Sequence, residues 1–124
     1  MYITLPKRVR SLLRRLAETA YERELHRLLD ELENSSTRWR RGEIDTLILA
    51  EHVDRFANGP ERRRLEQRYK TTRMVHMIVA QSIVQGILRK DEVPDEVLDA
   101  LAKPIEFYQR DSADETIGFE QEDG

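Results

Sequence analysis

Glu18, Glu22, His26 and Asp30 recur at every fourth position and form the row best able to hold a metal. On a helix such residues share one face, and they would offer three or four oxygen and nitrogen ligands to a divalent cation. The ordinary reading of the row is a solvated face whose charges pair along the helix. A di-metal bundle draws Glu-x-x-His pairs from two helices. Neither Glu-x-x-His nor His-Glu-x-x-His occurs here. No metal or cofactor is therefore expected, and Glu22, His26 and Asp30 stand as the candidates if one is bound.

The other two histidines lie on apolar faces. His52 precedes Phe56 by one helical turn, and His76 shares a face with Ala80, Ile83 and Ile87. Each reads first as a hydrogen-bonded core or interface side chain. A site made by His52 and His76 across a helix pair is the alternative.

Nucleophilic chemistry has little material. None of Ser11, Ser35, Ser36, Ser82 and Ser112 lies in a Gly-x-Ser-x-Gly elbow. The five glycines build no phosphate-binding loop, and no Walker motif is present. The absence of cysteine excludes disulfides, zinc-thiolate sites and thiol nucleophiles, and it suits a reducing cytoplasm. Carboxylates number 24, yet nothing in their spacing marks a pair whose pKa values are driven apart. No catalytic residue is assigned.

Arginine carries a stronger signal. Of the 21 cations, 17 are Arg, whose planar guanidinium grips carboxylate or phosphate with two parallel hydrogen bonds. Lys7, Arg8, Arg10, Arg14 and Arg15 form one cluster, and Arg38, Arg40 and Arg41 flank Trp39. Arg62, Arg63, Arg64, Arg68, Lys70 and Arg73 crowd around Tyr69. Converging on one surface, these clusters would attract phosphates, with Trp39 or Tyr69 able to stack on a base. The candidate nucleic-acid contacts are Arg40, Arg41, Arg62, Arg63, Arg64 and Arg68. Against this stand the interleaved Glu43, Glu61 and Glu66, and no recognised nucleic-acid-binding signature is present.

The charge is divided along the chain. Residues 1–90 carry 19 Lys and Arg against 12 Asp and Glu, a net +7. Residues 91–124 carry two against 12, a net −10. Such a division suggests an anionic partner for the body or pairing of body and tail. Ordinary surface charge on helices is the plainer reading.

The elements that must position these residues are helical. Pro6 suits a helix start. A first helix is expected from Lys7 to about Arg41, with Gly42 closing it. Its first stripe is Val9, Leu12, Leu13, Leu16 and Ala20. A second, rotated by roughly 120°, is Tyr21, Leu25, Leu28, Leu32 and Trp39. Either the helix bends or its halves meet different partners, one of which could be a second copy of the chain. Val9, Leu12, Leu13 and Leu16 are accordingly the candidate dimer interface.

Asp45 is expected to cap a second helix over 46–58, with Leu49, Val53, Phe56 and Ala57 inward. Asn58, Gly59 and Pro60 end it and begin a polar third helix over 60–70, where Leu65 and Tyr69 are the apolar pair. Thr71 and Thr72 suggest a break. A fourth helix over 73–89 is apolar nearly all round and belongs at the centre of the core. Pro94 opens a fifth with Asp95 and Glu96 in its first turn and Val97, Leu98 and Leu101 inward. Pro104 kinks or restarts it, and Ile105, Phe107 and Tyr108 pack its end.

The expected fold is all-α, a single-domain bundle of four to five helices with one long N-terminal helix. Residues 1–110 form the domain and 111–124 a disordered acidic tail around Ile117 and Phe119. No apolar run is long enough to span a membrane, and no secretory signal is expected. These features favour a cytoplasmic, non-enzymatic protein-interaction or regulatory module, acting as a homodimer or on another protein. Nucleic-acid binding through the Arg clusters is the second reading, and a metal-binding helical protein the third.

Overall fold

The computed structural model describes residues 5–70 and 74–111, and every regular element among them is helical. Helix α1 spans Lys7–Arg40, α2 Thr46–Asn58, α3 Pro60–Lys70, α4 Val75–Val84 and α5 Asp95–Ala100. A 3-10 turn at Lys90–Glu92 precedes α5, and residues 102–111 are helical again. The all-α fold with one long N-terminal helix is as expected.

Helix α1 starts where Pro6 offers its carbonyl to the Arg10 N–H at 3.0 Å. The run Asn34–Ser36 does not break it, although Asn and Ser are weak helix formers. At its C-terminus Gly42 N–H bonds the Trp39 carbonyl and Glu43 N–H bonds that of Arg38, the paired bonds of a Schellman cap.

The chain contacts divide into two compact units. One comprises the described residues up to Ala20 together with those from Met74 onward, and the other runs from Tyr21 to Lys70. The change of stripe on α1 falls at this division. In the first unit Val9 (5% exposed), Leu13 (2%) and Ala20 are buried within the chain itself, with Leu12 and Leu16 half-buried. Of the four residues expected at a dimer interface, Val9 and Leu13 are thus covered within the chain itself, and Leu12 and Leu16 keep part of their surface exposed. In the second unit Leu28 is buried, and Tyr21, Leu25, Leu32 and Trp39 are half-buried.

The first unit has an apolar core. Helix α4 buries Ile78, Val79, Ala80, Ser82 and Ile83. The Ser82 hydroxyl donates to the Ile78 carbonyl at 2.8 Å, which satisfies it inside the helix. Leu88, Val93, Val97 and Leu101 are also buried. Two sequence expectations are corrected here. Helix α4 ends at Val84 rather than near residue 89, because Gly86 adopts φ +79° and closes another Schellman cap, with Ile87 N–H on the Ser82 carbonyl. Phe107, expected inside, is 58% exposed, although its ring meets Tyr108 edge to face at 5.2 Å. Pro94 accepts the first bonds of α5 as expected. Leu101 breaks the run, and Pro104 falls in the first turn of the next helix, where its missing N–H costs nothing.

The second unit is held differently. The Asp45 carboxylate accepts the Ile48 N–H at 2.8 Å and caps α2, as its position predicts. Gly59 makes the corner into α3, and a Cβ there would fall on the Arg55 carbonyl oxygen. Helix α2 nonetheless buries none of its residues. Leu49 and Phe56 are half-buried, while Val53 and Ala57, expected inward, are exposed. The expected break at Thr71 and Thr72 lies outside the described residues, as does the expected tail of 111–124 apart from Asp111, which continues the last helix.

Candidate functional groove

The second unit contains a groove of about 390 Å³ lined by residues of α1, α2 and α3. Leu28 and Leu32 of α1 and Phe56 of α2 give it an apolar lining, and Pro60 closes the α2–α3 end. Arg55, Arg62, Arg64, Glu31 and Glu61 supply the charge, and Ser35 and His52 the neutral polar groups. A second hollow of about 230 Å³ shares Leu28, Glu61 and Arg64 with it and adds Glu24, Arg27, Leu65 and Arg68. The two form a track along α1 and α3.

Helix periodicity explains the convergence. Leu28, Leu32 and Ser35 recur at three- and four-residue steps on one face of α1. His52 and Phe56 do the same on α2, as do Glu61, Arg64 and Arg68 on α3.

An ionic lattice fixes α3 against α1. Glu66 receives the Tyr21 hydroxyl at 2.6 Å, the Arg62 Nε–H at 2.9 Å and the Lys70 ammonium at 2.6 Å. Lys70 first, then Tyr21 and Arg62, hold the Glu66 carboxyl down to about 2. The same contact raises the Tyr21 and Lys70 values, through their hydrogen bonds to Glu66 first. The Tyr21 and Tyr69 rings meet edge to face at 5.3 Å. Beside them Arg68 bonds Glu24 at 3.4 Å.

The candidate Arg residues are thus not equivalent. Arg62 is shared between Glu66 and the Phe56 ring, 5.1 Å from its centroid. Arg68 lies between Glu24 and the Tyr69 ring, and Arg40 sits 5.3 Å from the Trp39 ring. Arg41, Arg55, Arg63 and Arg64 make no ion pair among the described residues. The Phe56, Trp39 and Tyr69 rings, which lie beside these clusters, each carry a guanidinium already. Trp39 also donates its indole N–H to the Thr46 hydroxyl at 3.1 Å, which ties the end of α1 to the start of α2.

His26 pairs with Asp30 at 3.2 Å on an exposed face of α1. No group of three or more metal-binding side chains comes together among the described residues. His52 and His76 fall in different units. Burial pushes the His76 imidazole below its ordinary value. His52 Nδ1 lies 2.8 Å from the Ser35 hydroxyl in the groove.

The Ser35–His52 pair escaped the sequence reading, because a contact across 17 positions leaves no local motif. Its geometry suits a nucleophile and base. Acyl transfer also needs N–H donors at the developing oxyanion, and Ser35 sits inside α1, where backbone N–H groups are spent on the helix. Ser35 also lies 3.3 Å from the Glu31 carbonyl, the back-bond of a helical serine. The pair joins α1 to α2.

Apolar side chains outside the groove went unrecognised as a surface. On α2, Leu47 is 76%, Val53 47% and Ile48 38% exposed. The signal was present in the sequence, since a helix with so many apolar residues among polar neighbours must cover them somewhere. No helix among the described residues is long and apolar enough to cross a membrane. Compared with family models, curated proteins and solved structures, the chain matches none.

Proposed function

We propose that this chain is a non-enzymatic protein-interaction module of the cytoplasm, acting through α2 and the groove beside it. The observation that carries this reading is a helix of 13 residues that buries none of them and exposes Leu47, Ile48 and Val53. Large apolar side chains left exposed on one helix offer area to a partner. Three rigid supports stand under it: the Asp45 cap, the Gly59 corner and the lattice around Glu66. A second copy of the chain is one such partner, and α2 rather than the buried Val9–Leu13 stripe is the surface it would use.

A photo-crosslinking residue placed at Leu47 or Val53 in the native cell tests the reading. A discrete adduct is expected from both positions and none from Glu33 on the exposed face of α1. No adduct from α2, or the same one from Glu33, would contradict it.

The nucleic-acid reading rests on Arg41, Arg63 and Arg64, which make no ion pair among the described residues. The aromatic rings beside the Arg clusters already carry guanidiniums, so it takes second place. A gel shift at ~50 mM salt with single- and double-stranded probes tests it.

A further inference from the structure

We infer that the α1–α2–α3 groove recognises an acidic peptide segment carrying one large apolar side chain; this rests on the interaction reading above and names its ligand. The charge of the lining points to the class. Glu24 and Glu31 are each engaged by a neighbouring guanidinium, Arg68 at 3.4 Å and Arg27 at 3.2 Å. Of the lining carboxylates this leaves Glu61. On the other side Arg55 and Arg64 make no ion pair among the described residues, and both line the groove. Unpaired guanidiniums beside an apolar lining select carboxylates, which they bind through two parallel hydrogen bonds.

The apolar lining sets the second requirement. Leu28, Leu32 and Phe56 face a volume of about 390 Å³, near the lower end of the range for ligand pockets. A phenylalanine or leucine side chain fills such a space, whereas a drug-sized molecule does not need the track toward Arg68. The shared lining at Leu28, Glu61 and Arg64 makes the hollow elongated, which suits a segment rather than a compact ligand. Phosphodiester chains are the competing occupant. They are disfavoured by Arg62, whose guanidinium already lies over the Phe56 ring, the aromatic ring of the lining on which a base would stack.

The test is fluorescence anisotropy of a labelled synthetic peptide with glutamates on both sides of a single phenylalanine. It is run on the full chain and on the full chain with Ile117→Ser and Phe119→Ser. The second background removes the chain's own acidic, apolar sequence as a competitor. Saturable binding in at least one background is expected. Replacing every glutamate by glutamine, or the phenylalanine by alanine, should weaken it by roughly tenfold. Arg64→Glu should do the same, and Arg64→Gln, which carries no repulsion, should weaken it less. Equal binding of the glutamine peptide would overturn the acidic class while leaving the interaction surface standing. Tighter binding of a single-stranded oligonucleotide to the same groove would overturn it in favour of phosphate. Absence of binding in both backgrounds would overturn it as well, and the adducts formed at Leu47 and Val53 report on the broader reading independently.

Discussion

Helix α4 buries five of its ten residues, whereas α2, three residues longer, buries none. Both are rich in apolar side chains, and the difference lies in what surrounds them. In the same unit as α4, Val9, Leu13, Leu88, Val97 and Leu101 are each at most 5% exposed, so that unit is held by apolar packing. In the second unit Leu28 and Leu65 are buried, the Glu66 lattice ties α3 to α1 and caps hold the helix ends, while α2 buries nothing. A core that packs itself leaves nothing for a partner. A unit stapled by polar contacts can leave its apolar residues outside.

The contrast breaks first at Leu101, which is fully buried. Leu101→Ala should cost about 3 kcal/mol in denaturant unfolding, the range for a buried Leu that leaves a cavity. A loss below 1 kcal/mol would mean that the first unit is not tightly packed. In the second unit, Tyr21→Phe removes a half-buried hydrogen bond to a carboxylate and should cost about 1 kcal/mol, with hydrogen exchange rising in α3 before α4. Asp45→Ala removes the α2 cap and should cost about 1 kcal/mol. Leu47→Ser, on an exposed position, should change stability by less than about 0.5 kcal/mol.

A pH scan separates the two units further. Because Glu66 is lowered from 4.5 to about 2, its contribution is complete above pH 4.5 and is lost as pH falls from there toward about 2. Lys70 and Tyr21 are raised above 10.5 and 10.0, so their contribution is complete below 10 and is lost as pH rises beyond. His76 in the first unit runs the other way from Lys70. Its lowered value makes the neutral ring the native form, and stability falls as pH drops below 6.5. Exchange protection should therefore decline first in α4 as pH drops below 6.5, with α3 unaffected until pH falls below 4.5. Glu66→Gln should abolish the later loss, and His76→Leu the earlier one.

Much of this architecture was legible from local signals. Asp45, Gly42, Pro60 and Pro94 mark helix ends through bonds that a few neighbouring residues complete, so α1, α2, α3 and the start of α5 fall where the sequence puts them. Gly86 was missed because the apolar pattern continues through Ile87 and Leu88, and periodicity masked the terminator. Burial was less legible. Val53 and Ala57 sit on the amphipathic face of α2, but a helical wheel gives the direction of a face and not whether anything lies opposite. The groove was not legible either, since Leu28, Phe56 and Arg64 come from three helices. Pairing also changed the meaning of the Arg clusters. Arg62 and Arg68 read alike in sequence to Arg63 and Arg64, yet the first two are tied to Glu66 and Glu24.

The central claim is that α2 keeps its apolar residues for a partner rather than for its own fold. The most direct measurement combines Leu47→Ser with Val53→Ser and reads two quantities on the same protein, the denaturant midpoint and adduct formation from a photo-crosslinker at the exposed Ala50. The account predicts a midpoint shifted by no more than about 0.5 kcal/mol equivalent and loss of the adduct. A midpoint that falls by more than about 1 kcal/mol equivalent, or an adduct that persists unchanged, would contradict it.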